Sequence, residues 1–403
     1  MKQKDRNLLT ENKYTGDSLL LERLLQAADP LLLWYSQNAR ELPWRESPTA
    51  YRVWISEIML QQTRVEAVKP YYQHFMEALP DIPSLAAVEE DKLMKLWEGL
   101  GYYRRARNLK KAAQETMERF GGVLPSDYAQ LLTLPGIGEY TAGAIASIAF
   151  GIPVPAVDGN VLRVLSRYLS SDADILDPLE KRAYRAAAMA MLPPERPGDF
   201  NQAMMELGAT VCLPNTEPRC LLCPLRPHCL GYLLKTARDL PFKRPKAPRK
   251  EQERLVFALT DSSCSRLLLH KRPDSGLLAG LWELPGLDRP QGFSMDSFSS
   301  ADLAASFAAA FPETSALWKA VSGGLLQVRS MGRARHVFTH VEWEMEGLLL
   351  SLPDACLHIS LPEDWVWAGI CGSPTERKLE QYPLPSAFRY FFQKLLELGA
   401  AKP

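Results

Sequence analysis

The chain carries no excess charge of either sign: 47 Lys and Arg balance 47 Asp and Glu over 403 residues. A neutral total neither supports nor excludes a nucleic-acid partner, because a phosphate footprint needs a local basic face rather than a basic sum. Long hydrophobic runs are missing too. No stretch of 18 apolar residues occurs, which excludes a spanning helix. The first 18 residues are polar and lack the roughly 7–15-residue apolar core of a secretory signal. Cysteine is sparse and unevenly placed. Four of seven, Cys212, Cys220, Cys223 and Cys229, fall within 18 residues, while Cys264, Cys356 and Cys371 are scattered. A secreted disulfide framework would spread its cysteines; a tight cluster in a reducing compartment points to a metal site. The expectation is a soluble, cytoplasmic protein.

With 46% apolar and 23% charged residues, the chain is globular, and its length suits two domains. From Leu19 to about Leu234 apolar residues recur at three- and four-residue spacing, as in Leu93–Leu96–Trp97–Leu100 and Ala142–Ile145–Ala146–Ala149. Prolines and glycines punctuate these runs, and nothing alternates with period two for long, so this half is all-α. The proline-rich, charged segment from Pro241 to Arg254 is an extended linker. Beyond it Leu255–Thr260, Arg266–Arg272 and Arg335–Met345 read as strands, and residues 291–311 hold a helix. Pro385–Leu398 reads as a closing amphipathic helix capped by Ser386, which makes this part α+β. The expected divisions are a polar tail over 1–18, a helical domain over 19–235, a linker over 236–253 and an α+β domain over 254–403.

Residues 131–149 contain Leu134-Pro135-Gly136-Ile137-Gly138, a tight turn between a helix ending near Leu134 and one starting at about Glu139. Gly136 and Gly138 permit positive φ and leave backbone N–H groups open, while the new helix directs its positive dipole end at the same spot. Such a turn suits a phosphate without sequence preference; taken alone it is equally an ordinary helix–turn–helix connection. Upstream, Arg104, Arg107 and Lys111 share a helix face with Tyr102 and Tyr103 at its start. Basic side chains beside aromatics fit phosphate contact with base stacking or wedging; the plainer reading is a solvated face.

Two carboxylates stand in contrasting settings. Glu57 lies mid-helix among Trp54, Ile58, Met59 and Leu60, where desolvation raises its pKa and suits a general acid. Asp158 precedes the apolar helical set Val161, Leu162, Val164, Leu165 and Tyr168, where N–H groups and the helix dipole favour its anion. A neutral and an ionised carboxyl together suit glycosidic cleavage through an oxocarbenium-like state. Separately, Asp158 is as readily a plain N-cap, and Glu57 a solvent-facing residue. The loop Cys212-x7-Cys220-x2-Cys223-x5-Cys229 offers soft, all-sulfur ligation for zinc or an iron–sulfur cluster. A zinc ribbon presents two separated C-x-x-C pairs; one pair here favours [4Fe–4S].

Taken together, the hairpin, Val157-Asp158-Gly159-Asn160-Val161 and the cysteine loop resemble the helix-hairpin-helix glycosylases, iron–sulfur branch, over about Leu31 to Gly231. The resemblance implies a two-lobed, all-α domain with its cleft between lobes and a [4Fe–4S] cluster on Cys212, Cys220, Cys223 and Cys229. The first cysteine spacing is one residue longer than that branch usually has. Bifunctional members place a lysine two residues after the hairpin's last glycine; Tyr140 stands there, which implies a single-function glycosylase without a Schiff base. Leu42-Pro43-Trp44-Arg45 and the segment from Trp54 to Thr63 are similar to the MutY-type adenine glycosylases. That likeness implies that Glu57 protonates adenine, that Asp158 stabilises the sugar cation and that Tyr140 and Asn160 assist. It places Arg45 near the flipped base and gives Gln62 and Tyr102 the task of filling or wedging the duplex.

The segment Gly276–Gly286 is similar to the Nudix-related recognition domain of that family. No R-E-x-x-E-E cluster follows Gly286 to hold Mg²⁺, which argues against nucleotide hydrolysis. The family's Phe-Ser-His loop, a contact to the damaged guanine, corresponds to Phe338-Thr339-His340. If Val337–Met345 is extended, Val337, Val341, Trp343 and Met345 face the core and leave Phe338 and His340 on the other side. The implied activity is hydrolytic removal of adenine opposite 8-oxoguanine or guanine by a monomer acting on nucleoid DNA of a bacterial-type cell. The rivals are a glycosylase-lyase, a Nudix hydrolase and a non-catalytic iron–sulfur DNA-binding protein.

Overall fold

The computed structural model describes residues 13–245, 247–290, 292–293, 300–321, 327–370 and 378–400. Cys371, most of the polar tail, and parts of the 291–311 stretch lie outside the described residues. The described chain forms two compact units. One holds the residues up to Val88 and from Arg104 to 245; the other holds Glu89–Tyr103 and the residues after 246.

The first unit is entirely helical: α1 (Ser18–Leu25), α2 (Ala28–Asn38), α3 (Ala50–Leu60), α4 (Val65–Ala78), α5 (Ile82–Ala87), and, past the segment that groups with the second unit, α7 (Arg104–Phe120), α8 (Tyr128–Leu131), α9 (Glu139–Phe150), α10 (Gly159–Tyr168), α11 (Pro178–Met191), α12 (Pro197–Thr210) and α13 (Leu230–Leu233). Local chemistry explains the starts. Asp17, Thr49, Asp127, Asp158 and Asp177 each accept a backbone N–H from the first turn of their helix, and Asp81 with Ser84 makes a reciprocal capping box. The chain's two ends in this unit meet in one core: Leu24, Leu31 and Tyr35 from α1 and α2 pack with Leu165, Tyr184, Phe200 and Leu207 from α10, α11 and α12. Small residues let α9 approach its neighbours closely. A Cβ on Gly143 would sit 2.5 Å from the Pro155 carbonyl oxygen, so backbone takes the space a side chain would need.

In the second unit, α6 (Glu90–Leu96) precedes a seven-stranded sheet of β1 (Lys250–Thr260), β2 (Arg266–Lys271), β3 (Trp282–Glu283), β4 (Gly286–Asp288), β5 (Gln327–Val337), β6 (Val341–Ser351) and β7 (Trp365–Gly369). The main strand order is β3-β2-β1-β6-β5; β4 pairs with β1 and β7 with β2. β1 runs parallel to β6 from Lys250–Val341 to Thr260–Ser351. Both faces of β1 are covered. Leu255, Phe257 and Leu259 meet Phe307 and Trp318 from α14 (Ser300–Ala310) and α15 (Ser315–Val321), while Val256 and Ala258 meet Phe391 and Leu395 of α16 (Arg389–Ala400). That explains why Leu255–Leu259 is a continuous apolar run rather than an alternating one.

Three expectations require correction here. Arg335–Met345 is not one strand: β5 and β6 form an antiparallel hairpin that turns at residues 338–340. The turn shifts the phase of the side chains, so Val337 points outward, 47% exposed, whereas Phe338 folds in against Trp343 with ring centroids 4.8 Å apart. Ser386 lies inside a 3-10 turn, Ser386–Phe388, ahead of α16 and does not cap that helix. No helix among the described residues is long and apolar enough to cross a membrane.

Candidate active site

One cavity of about 1300 Å³ opens in the helical unit and gathers Arg45, Glu57, Gln62, Tyr140, Asp158 and Asn160 from four separate stretches of sequence. Helix α3 delivers Glu57, which is buried like its helix neighbours Trp54, Ile55 and Ile58 and is only 6% exposed. Burial is the largest influence on it and lifts its pKa to about 7, helped by the nearby Asp158 charge; the Tyr140 hydrogen bond and the Arg45 charge pull the other way. Glu57 therefore holds a proton close to neutral pH. The Tyr140 hydroxyl, from the first turn of α9, bonds Glu57 Oε2 and lies 3.3 Å from Met205 Sδ.

Asp158 is the N-cap of α10. Its Oδ1 accepts the Val161 N–H at 2.8 Å and its Oδ2 the Asn160 amide at 2.7 Å. These bonds stabilise the anion as the sequence suggests, but burial is the stronger effect and leaves the carboxyl above the usual aspartate range. Two buried carboxyls cannot ionise independently. Asp158 is the better-stabilised anion, because it owns the backbone N–H, the Asn160 amide and the Arg163 charge, whereas Glu57 has one phenol and the Arg45 charge. Asn160 is held in turn by Arg163, whose Nη2 donates to Asn160 Oδ1 at 3.0 Å and whose Nε donates to the Cys212 carbonyl at 2.9 Å. A hydrogen-bonded chain thus runs from the first loop cysteine to the Asp158 carboxyl.

Several participants were invisible to sequence reasoning. Glu206 on α12 is 1% exposed and receives Arg40 Nε at 2.5 Å and Arg45 Nη2 at 2.9 Å. Burial would raise its pKa, yet the two guanidiniums outweigh burial and hold it below the ordinary range. Its signal resembled that of Glu57, a carboxylate inside an apolar helix run, Met204-Met205-Glu206-Leu207. Arg105 donates to the carbonyls of Ile58 and Gln61 at 2.7 and 2.6 Å. It covers the carbonyl end of α3 just where Gln62 adopts the left-handed conformation, φ 61°.

At the hairpin, Gly136 has φ +77°, and a Cβ there would lie 2.7 Å from Asn108 Cβ. Gly138 does not need glycine's freedom: its φ is −89°, and as the N-cap of α9 it has only open space beside it. The preceding helix stops at Leu131, three residues earlier than expected, and turns lead to Pro135. Of the two upstream tyrosines only Tyr102 is available, 50% exposed with φ +49°; Tyr103 is buried in the core. Arg104 and Lys111 are exposed and Arg107 half-buried.

Tyr102 and the Phe338–His340 turn belong to the second unit and do not line the cavity. Within that unit the Tyr102 hydroxyl lies 3.3 Å from Thr339 Oγ1. The turn is held by the Phe338 N–H donating to the Val341 carbonyl at 2.8 Å and the Lys250 N–H donating to the His340 carbonyl at 3.0 Å. Thr339 and His340 are exposed. Along the described stretch after Gly286, α14 carries Asp302 as its sole carboxylate.

The four loop cysteines are all unpaired and half-buried. Burial pushes Cys223 and Cys229 up to about 12 and about 11, and the neighbouring thiols add to the rise. Arg167 Nη1 reaches Cys212 Sγ at 3.3 Å. Within the first spacing Asn215 adopts the left-handed region, φ 55°, which asparagine tolerates. Among the described residues no three His, Cys, Asp or Glu side chains converge as a single-ion site.

Glu57 and Asp158 line one cavity and a glycine turn opens α9, an arrangement that fits the helix-hairpin-helix class. Residues 55–189 match the HhH-GPD superfamily base excision DNA repair protein model, and residues 255–394 match the NUDIX domain model. The chain belongs to the adenine DNA glycosylase family. It is 34% identical over 374 residues to the adenine DNA glycosylase of Homo sapiens, covering 79% of this chain and 66% of that one. With the Mus musculus enzyme it shares 32% over 403 residues, 87% of this chain and 76% of that one. With the Arabidopsis thaliana enzyme it shares 41% over 295 residues, 64% of this chain and 46% of that one. The matched stretch thus spans less than two thirds of the human and plant relatives' own length.

Proposed function

We propose that this chain excises adenine paired with 8-oxoguanine or guanine in duplex DNA, hydrolysing the N-glycosidic bond and leaving an abasic site on an intact strand. The observation that carries this reading is the buried, proton-holding Glu57 set against Asp158 in one cavity. The adenine nucleotide turns out of the stack into the cavity, where Arg45 lies beside it. Glu57 donates its proton to a ring nitrogen, and the bonding pair between sugar carbon and base leaves with the now neutral adenine. Asp158 faces the positive charge that develops on the sugar, and Asn160 and Tyr140 keep the two carboxyls oriented. Water then supplies the oxygen that bonds the sugar carbon, and the proton it loses restores Glu57. Tyr140 stands where a lyase would need an amine, so no Schiff base forms and the strand is not cut.

The pH dependence follows in sign from these groups. Glu57 loses its proton as pH rises through about 7, so base release falls on the alkaline side. Asp158 gains a proton as pH drops, so release falls on the acid side as well. Single-turnover rates measured from pH 5 to 9 are expected to describe a bell whose alkaline limb lies near 7; a rate that holds level through pH 9 contradicts Glu57 as the acid.

The hairpin at Gly136 and Gly138, with Arg104, Arg107 and Lys111, grips backbone phosphates, and Gln62 and Tyr102 fill or wedge the opened duplex. In the second unit the exposed Thr339 and His340, with Phe338 behind them, read the base opposite the adenine. The missing carboxylate cluster after Gly286 makes that unit a reader rather than a nucleotide hydrolase. The protein acts as a cytoplasmic monomer on the chromosome.

Cys212, Cys220, Cys223 and Cys229 suit a [4Fe–4S] cluster. The donor set is all sulfur, burial and the neighbouring thiols push Cys220, Cys223 and Cys229 upward, a metal cation would ionise them, and Arg167 would offset the charge of a cluster held there. Cys212, Cys220, Cys223 and Cys229 would hold such a cluster and with it cross-link the loop whose Cys212 carbonyl accepts Arg163, the residue that holds Asn160 beside Asp158. Purified protein is expected to be brown with a broad visible absorbance and to contain iron, and Cys220→Ser to lose both. A colourless protein containing zinc contradicts the assignment.

A further inference from the structure

Tyr140 has one hydroxyl hydrogen and two acceptors for it, Glu57 Oε2 and Met205 Sδ at 3.3 Å. Which acceptor takes the hydrogen depends on the state of Glu57. When Glu57 is ionised, its carboxylate takes the hydrogen, because a charged acceptor forms the stronger bond. When Glu57 is protonated, its own O–H can be donated to the phenol oxygen, and the phenol hydrogen is then left to the sulfur, a weak acceptor but the one within reach. Met205 sits on α12 one residue before Glu206, lines the cavity and is half-buried.

We propose that Met205 is a positioning residue for the acid: its sulfur gives the Tyr140 hydrogen a second place to go, and so favours the protonated form of Glu57 that the reaction consumes. A sulfur bond available only to that form shifts the balance toward it; an apolar side chain of similar bulk offers no such bond. The other charged groups facing Glu57 are Asp158 at the start of α10 and Arg45 in the 3-10 turn Pro43–Arg45, itself held by Glu206. Met205 Sδ, by contrast, lies within hydrogen-bond reach of the Tyr140 hydroxyl. This inference rests on the proposed excision chemistry.

The test is the pH profile of single-turnover adenine release from duplex carrying adenine opposite 8-oxoguanine, for wild type, Met205→Leu and Met205→Gln. Removing the acceptor with Met205→Leu is expected to move the alkaline limb to lower pH by about half a unit, the scale of a weak hydrogen bond. Met205→Gln, which restores an acceptor oxygen at similar reach, is expected to return the limb to the wild-type position or above it. Limbs that coincide for wild type and Met205→Leu overturn the role of Met205, as does an equal downward displacement in both variants. If Met205→Leu does not fold, the Gln variant against wild type decides: a limb below the wild-type one overturns the proposal. Failure of the wild-type protein to release adenine at any pH refutes the excision reading instead, which keeps the two failures distinct.

Discussion

Replacing Glu57 with Gln is expected to slow adenine release by about 10²–10⁴-fold, the usual contribution of a positioned general acid, while duplex binding stays unchanged. Glutamine matches the shape of glutamate and still offers an oxygen to the Tyr140 hydroxyl, so the buried face of α3 is undisturbed. It cannot deliver a proton at any pH. The substitution also removes a carboxyl that burial holds at a raised pKa, so the folded state loses nothing at alkaline pH, where an ionised Glu57 would be buried at a cost. Thermal unfolding at pH 8.5 should show a midpoint no lower than wild type. Single-turnover quenching separates the rate from binding. Release at the full rate by the variant would remove Glu57 from the mechanism.

Asp158→Asn is expected to lower the rate by about 10²–10³-fold, the scale found when one preorganised electrostatic partner of a transition state is lost. Asparagine caps helices as well as aspartate does, so its side-chain oxygen keeps the Val161 N–H bond and α10 stays in place. Its amide group, however, would meet the Asn160 amide nitrogen that now donates to Oδ2. Asn160 cannot simply flip, because its oxygen is taken by Arg163. One hydrogen bond is therefore lost, about 0.5–1.5 kcal/mol of stability, far less than a helix would lose with an uncapped end and a void. A large fall in rate with a small fall in stability separates the charge on Asp158 from its cap. Equal rates for variant and wild type would reduce Asp158 to a cap alone.

Much of this was legible in residues whose setting broke a local rule. Glu57 stood out because a carboxylate had no reason to lie among Trp54, Ile58 and Met59, and Asp158 because it preceded an apolar helix. The helical half was readable from its 3.6-residue periodicity and β1 from its apolar run. What escaped was set by contacts between residues far apart in sequence. Arg40, Arg45 and Glu206 form one charged knot across about 160 positions, and no local pattern pairs them. The hairpin at Phe338–His340 was missed because Thr339 and His340 carry no glycine signal, so the strand pattern ran on through the turn. The anionic state expected of Asp158 was overstated for the same reason: sequence displays a cap and a dipole, but the depth of burial is a property of the assembled fold.

The most direct test of the central claim follows the products from a duplex with a single adenine opposite 8-oxoguanine, under single turnover, with and without alkaline treatment. The account predicts free adenine in step with abasic sites, strand breaks only after alkali, and no borohydride-trapped protein–DNA adduct. A protein that binds this duplex and releases no base, or one that cuts the strand through a trapped lysine without alkali, would contradict it.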